Sequence, residues 1–242
     1  MIPIRDANPG ISRPVITWLI IAAAAFVFFF VQPHGERAAL EFDVHHAAIP
    51  CELSSARLLD QGDLSGCSPI PRPPPLYPDK NLWGSVFVSM FLHATPWHLI
   101  GNLWVLWIFG NNVEDAFGKP GYVLFYLTSG VAATAAFVAS NPSALTPLIG
   151  ASGAIAGVMG AYLVLYPRAR VVSVFPILFF LPIALPASIF LVFWFVGQFF
   201  VGATGIAWQA HVGGFLFGVA VATLMRPTLL RRVRRGRIAA RR

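Results

Sequence analysis

Apolar residues in this chain come in long blocks, separated by short polar or breaker-rich stretches. The first block, residues 14–31, is an unbroken apolar run, long enough to cross a bilayer. It exceeds the apolar core of about 7–15 residues typical of a signal peptide, and no small-x-small cleavage site follows. A retained first helix is expected. Residues 32–81 read as a long polar loop containing Pro71, Pro73, Pro74, Pro75 and Pro78. Residues 82–92 are apolar, with Trp83, Phe87 and Phe91, but too few to span, so an embedded segment is expected. A second helix starts near Pro96, since proline suits a first helical turn. It ends near Asn112, where Glu114, Asp115 and Lys119 mark a water boundary. The third helix covers about 121–140. Pro142 and Pro147 break the stretch to Gly150. The fourth runs from about Ser152 to Tyr166 and stops at Pro167. Residues 171–200 are too long for one straight span. Pro176, Pro182 and Pro186 break their first half, which leaves a fifth helix at about 187–202. After a short loop at 203–207, the sixth helix covers 208–225.

Composition turns these helices into membrane spans. The chain has 242 residues, 57% hydrophobic and 11% charged, with a mean hydropathy of +0.69. Soluble domains carry about 25% charged residues. Charge is also unevenly placed. All ten acidic residues lie at or before Asp115, and eight arginines crowd residues 226–242. Cytoplasmic loops collect Lys and Arg. With six spans, Arg5, Arg13, Lys119, Arg168, Arg170 and the tail all fall on one side. The acidic loop and two uncharged loops fall on the other. The expected layout is an all-α polytopic membrane protein with both termini cytoplasmic. An arm covers 1–13, a six-helix domain covers 14–225 with its outer loop at 32–95, and a basic tail covers 226–242. Next to a hydrophobic helix, such a tail reads as a contact with anionic lipid rather than with nucleic acid. Cys51 and Cys67 share the outer loop, where disulfides persist, so a bridge is expected; two free thiols are the alternative. His45 and His46 lack metal-ligand spacing and read as solvated loop. No metal or cofactor is assigned.

Polar side chains within spans are costly and usually functional. Four stand out: His98, Asn102, Ser152 and His211. Ser152 precedes Arg168, His98 precedes Glu114 and His211 precedes Arg226 by nearly equal lengths of chain. At about 1.5 Å per residue, all three sit roughly 22–24 Å from the cytoplasmic edge. Asn102 is one turn deeper on the face of His98. The fourth helix is too short to span, so its N-terminus begins inside the membrane, where irregular backbone must line a cavity. Each residue also has a plainer role. The stretch Gly150-Ala151-Ser152-Gly153 opens a helix whose Gly153, Gly157 and Gly160 share one face, as in a small-residue packing seam. His211 flanks glycines too, and Asn102 can simply join two helices. The combination on three helices at one depth points to acyl transfer. Ser152 would be the nucleophile, His211 its base, and His98, Asn102 and the Ser152 backbone N–H the oxyanion donors. With no acidic residue after Asp115, a Ser–His dyad is expected rather than a triad. The lack of acids in the spans argues against an aspartyl protease. The lack of His-Glu-x-x-His argues against a zinc protease. A channel or transporter would call for broken helices in two matching halves, and no internal repeat is present.

These motifs resemble the rhomboid intramembrane serine proteases of the bacterial six-helix type. They are His93-x4-His98-x3-Asn102, Gly150-Ala-Ser152-Gly153, and Ala210-His211-x-Gly213-Gly214 with Gly218. The resemblance covers about Leu82 to Met225. It implies a rhomboid-like bundle with a short central fourth helix, a Ser152–His211 dyad, and oxyanion stabilisation by His98 and Asn102. It also implies cleavage of single-span membrane proteins near the outer end of their helices, in a bacterial inner or plasma membrane. Substrates would pass beside the fifth helix, through a gate lined by the aromatic-rich residues 190–200. Two positions depart from the pattern. Ala156 stands where an aromatic often supports the histidine, and Gly84 follows Trp83 where arginine is common. A catalytically inactive relative that binds membrane clients is the alternative reading. Oligomeric state is not indicated.

Overall fold

The tightest contact in the fold is between two helices, Ser152–Leu165 (α7) and Trp208–Ala239 (α9), which meet backbone to backbone. A Cβ on Gly214 would collide with the Gly153 carbonyl, and one on Gly218 with the Gly157 carbonyl. A Cβ on Gly160 would strike the Phe215 carbonyl. The helix Lys119–Ser140 (α6) closes the third side, with Ala133 against Gly153 and Ser129 against Gly157. Almost every residue of α7 is buried. The seam reading of this stretch therefore holds.

The computed structural model describes residues 2–68, 74–175, 181–201 and 205–240. Pro71, Pro73, Pro176, Arg241, Arg242 and the start of the 203–207 loop lie outside them. Around the central trio stand Val15–Phe26 (α1), Pro96–Phe117 (α5) and Ala187–Gly197 (α8). The chain is mostly helical. Two helices, α6 and α9, are long and apolar enough to cross a membrane on length and composition alone. Shorter apolar helices cover Val15–Val31, Ser152–Leu165 and Ala187–Phe200.

Local chemistry sets the ends of these helices. Thr95 caps α5 by accepting from the His98 N–H at 3.1 Å, and Pro96 occupies its first turn. Gly118, at φ +72°, turns the chain from α5 into α6. The helix α1 starts after Pro14, which offers no side-chain cap. Its cap comes instead from Glu114. That carboxylate accepts from Ile16 N at 3.1 Å, and from Thr17 N and Oγ1 at 2.9 Å each. Asp115 accepts from Ile11 N at 2.6 Å. The expected water boundary is thus built differently: Glu114 is 1% exposed, because its charge serves the orphan N–H groups of α1.

Three expectations are corrected. The fold is not all-α. Ile2–Asp6 (β1), Arg170–Phe175 (β2) and Leu181–Pro186 (β3) form an antiparallel sheet in the order β1-β2-β3. Val171, Val172 and Val174 favour a pleated strand, and Pro182 and Pro186 sit on the edge strand, where proline is tolerated. The N-terminal segment is therefore a strand rather than a free arm. Asp6 ties it down by accepting from the Tyr162 hydroxyl and from Asn112 Nδ2. Second, the sixth helix does not stop at Met225. It continues through Pro227 to Ala239, with Leu229 and Val233 buried one turn apart in the main core. Arg237 donates to Asn8 Oδ1 at 2.8 Å.

Third, the described residues of 32–95 form a built cap and not an open loop. They hold Glu36–His46 (α2), Pro50–Ser55 (α3) and Ser85–Ser89 (α4). Cys51 is bonded to Cys67. Lys80 is buried against Glu52 at 2.5 Å. Arg57 grips both oxygens of Asp63, at 2.7 and 2.8 Å. His45 stacks on Tyr77 and lies 3.2 Å from Asp79, while His46 Nδ1 meets the Phe42 carbonyl. These histidines belong to a helix rather than to solvated loop. Gly84 has a local reason as well: a Cβ there would sit 2.8 Å from the Asn81 side chain that accepts from its N–H.

Two measurements check this account. Gly218→Ala should lower stability in detergent micelles by about 1–3 kcal/mol through overpacking. Gly101→Ala, where a Cβ meets nothing within 4 Å, should raise it by about 0.5–1 kcal/mol. The Arg57 guanidinium holds the Asp63 carboxyl well below the usual carboxylate range. A depressed folded pKa adds stability above the unfolded value of about 3.9 and loses it as pH falls below that value. Proteolysis of the cap should therefore accelerate below about pH 4, and Arg57→Met should abolish that pH dependence.

Candidate active site

The seam brings Ser152 and His211 together. Ser152 is the first residue of α7, and His211 lies in the first turn of α9. His211 Nε2 stands 2.8 Å from Ser152 Oγ. Both line a cavity of about 910 Å³, which His98, Thr95, Gly150 and Trp208 also border.

The position of Ser152 depends on the turn before it. Gly150 has φ +122°, a conformation that other residues avoid. A Cβ there would also strike the His98 ring at 2.7 Å. The Gly150 N–H donates to the Ser89 carbonyl at 2.9 Å, while Ser89 Oγ accepts from Ala48 N at 2.7 Å. One cap residue thus fixes the turn and the cap together. The residue preceding α7 is Ala151, and no side chain caps the helix. First-turn N–H groups at such an end favour negative charge.

The two histidines at the entry to α5 are packed from behind. His98 borders the cavity. The His93 ring stands 5.1 Å from the His98 ring, edge to face. His93 is buried and exchanges two hydrogen bonds with Gln32: its N–H donates to Oε1 at 2.9 Å, and its carbonyl accepts from Nε2 at 3.2 Å. Asn102 is buried, and its Nδ2 donates to the His98 carbonyl at 2.8 Å. It does not border the cavity. Gly153 and Gly214 take no part in the chemistry directly; their missing side chains let α7 and α9 close. The structure thus joins Ser152, His211, His98 and Gly150 at one cavity, with His93 and Asn102 behind His98.

One residue was missed by the sequence reading. Gln198, which follows α8, is buried, and its Oε1 lies 2.7 Å from His211 Nδ1. Its Nε2 donates to the Trp194 carbonyl at 3.1 Å. That second bond fixes which end of the amide faces the ring. Oε1 accepts, so Nδ1 carries the proton and Nε2 offers its lone pair to Ser152. The Trp194 ring adds a contact at 6.0 Å. Ala156 is fully buried and small, and the side chains that touch His211 are Trp194 on α8 and Gln198 just after it. The available signal was a lone amide in an otherwise apolar run, a short way before His211.

Comparison with known proteins gives a consistent family. Residues 79–228 match the Rhomboid domain model. The chain is 28% identical to Rhomboid protein 1, mitochondrial, of Saccharomyces cerevisiae, over 56% of this chain and 40% of that protein. It is 30% identical to the human Presenilin-associated rhomboid-like protein, mitochondrial, over 60% of this chain and 38% of that protein. It is 28% identical to Rhomboid protease GluP of Bacillus subtilis, over 63% of this chain and 25% of that protein. The chain thus spans less than half the length of each of these relatives.

Proposed function

We propose that this chain, which belongs to the rhomboid family, is an intramembrane serine endopeptidase. Rhomboid proteins are membrane-embedded. The observation that carries the reading is the 2.8 Å contact between Ser152 Oγ and His211 Nε2. The loop charges and the motif resemblance support a reading of six spans: α1 with its extension to Val31, then α5, α6, α7, α8 and α9 as far as about Met225. Both termini then face the cytoplasm of a bacterial cell, with the arginines near anionic lipid. At 14 residues, α7 is about 21 Å long. It starts inside a hydrocarbon layer of about 30 Å, which puts Ser152 toward the outer side at the end of a wet cavity. The chemistry calls for no cofactor and no nucleic acid.

In the reaction, Ser152 Oγ forms a bond to the substrate carbonyl carbon while its proton passes to His211 Nε2. The carbonyl oxygen becomes an oxyanion. His98 and the Ser152 N–H are the donors that border the cavity, and Asn102, one turn behind His98, joins them only when its amide turns from the His98 carbonyl. The C–N bond then breaks, and the departing amine takes the proton from the imidazolium. Water completes the cycle by the same path, with His211 as base and the serine as leaving group. Substrates are transmembrane segments cut near their outer end. A helical peptide bond is hidden in its own hydrogen bonds, so Gly, Ala or Pro near the cut favours the local unwinding that exposes it.

Cleavage of a labelled single-span substrate in liposomes tests this. Ser152→Ala and His211→Ala should fall to background while remaining folded, and Asn102→Ala should lose about 10²-fold or more in rate if it acts as a donor. Activity surviving Ser152→Ala would overturn the mechanism. Inactivity of the native chain on several substrates, with tight binding retained, would favour a client-binding relative.

A further inference from the structure

We infer that Gln198 is a positioning residue for the base: it selects the His211 tautomer that can accept the serine proton, and it does so only while the end of α8 is seated against α9. The inference rests on the dyad reading above and adds a third, neutral member on a separate element.

The geometry is a relay of directed bonds. The Trp194 carbonyl orients the Gln198 amide, the amide oxygen accepts from His211 Nδ1, and His211 Nε2 faces Ser152 Oγ. Without the Gln198 acceptor, a neutral imidazole is free to place its proton on Nε2, where it cannot take another. Gln198 is buried, yet its neighbours on α8 and beyond, Phe193, Val196, Phe199 and Phe200, are exposed. This end of α8 is held by side chains: Phe195 on Phe215 at 4.8 Å, Trp194 on Phe215 at 5.9 Å, and Phe199 on Trp208 at 5.3 Å. No ionisable group of α6, α7 or α8 borders the cavity among the described residues; His98 of α5 does. Gln198 therefore touches the His211 ring, and His98 is the ionisable neighbour that shares its cavity.

Gln198→Met and Gln198→Glu form the test, in liposomes, with cleavage rates and fluorophosphonate labelling of Ser152 followed across pH. Loss of a hydrogen bond to the charged ring predicts a drop in kcat of about 10- to 100-fold for Gln198→Met, with KM little changed. Its acid limb should move to lower pH, since the imidazolium loses an acceptor. A carboxylate favours the imidazolium, so Gln198→Glu should keep labelling and cleavage and move the acid limb up by about one unit. A merely structural role would not move the limb in opposite directions. If the native chain cleaves, Ser152→Ala does not, and both Gln198 variants keep the native kcat and acid limb, the positioning role is wrong and the dyad stands. If Gln198→Met fails to fold, an unmoved limb in Gln198→Glu overturns the inference alone. If the native chain neither cleaves nor labels, the dyad reading itself fails.

Discussion

The contact on which the rest depends is the backbone approach of α7 and α9. Gly153, Gly157 and Gly160 on one helix and Gly214 and Gly218 on the other leave no room for a single methyl group. Packing of this kind is rigid because each carbonyl rests on a glycine Cα face, with no rotamer to relax. Outside water, helix association has no hydrophobic drive between helices, so such close packing carries most of the attraction. The first residue of α7 and a residue in the first turn of α9 are then held at hydrogen-bond distance, with the turn at Gly150 setting the entry to α7. Ser152 and His211, the proposed nucleophile and base, thus sit on two helices locked together by this seam, which is what a reaction sensitive to displacements of about 1 Å requires.

The third partner follows another constraint. A carboxylate behind the histidine is the common arrangement, but burying one in apolar surroundings carries a desolvation penalty of several kcal/mol. A glutamine amide accepts the same hydrogen bond without charge. It stabilises the imidazolium less and asks less of the fold. Acids buried in this protein sit where donors converge on them: Glu114 on the start of α1, Asp63 under Arg57, and Glu52 against Lys80.

How much was legible in the sequence follows from the range of each signal. The start of α5 and the end of α7 were readable because Pro96 and Pro167 are local signals, whereas α5 runs on to Phe117, past the expected end near Asn112, because Glu114 is buried as the cap of α1. Ser152, His211 and His98 stood out as polar groups in apolar runs, and matched depth placed them together. The seam and the proposed nucleophile, treated as rivals for one stretch, are compatible, since Ser152 borders the cavity while Gly153, Gly157 and Gly160 meet α6 and α9. The sheet was hidden because β1 opens the chain while β2 lies beyond α7, and neither pattern closes on itself. Extension of α9 past Pro227 was hidden because Leu229 and Val233 gain their value only from the main core they join. Gln198 carried a visible signal, but its partner atom on His211 is a matter of helix docking.

The bond between Cys51 and Cys67 has a consequence for biogenesis. It belongs to the segment that pins Ala48 and, through Ser89, the turn before Ser152. Thiols oxidise stably on the far side of a bacterial membrane and stay reduced in the cytosol. In the proposed orientation, with the cap on that far side, correctly threaded chains acquire a covalent mark that wrongly threaded chains lack. The disulfide would then act as a record of orientation, written once during insertion into the same segment that anchors the turn before Ser152.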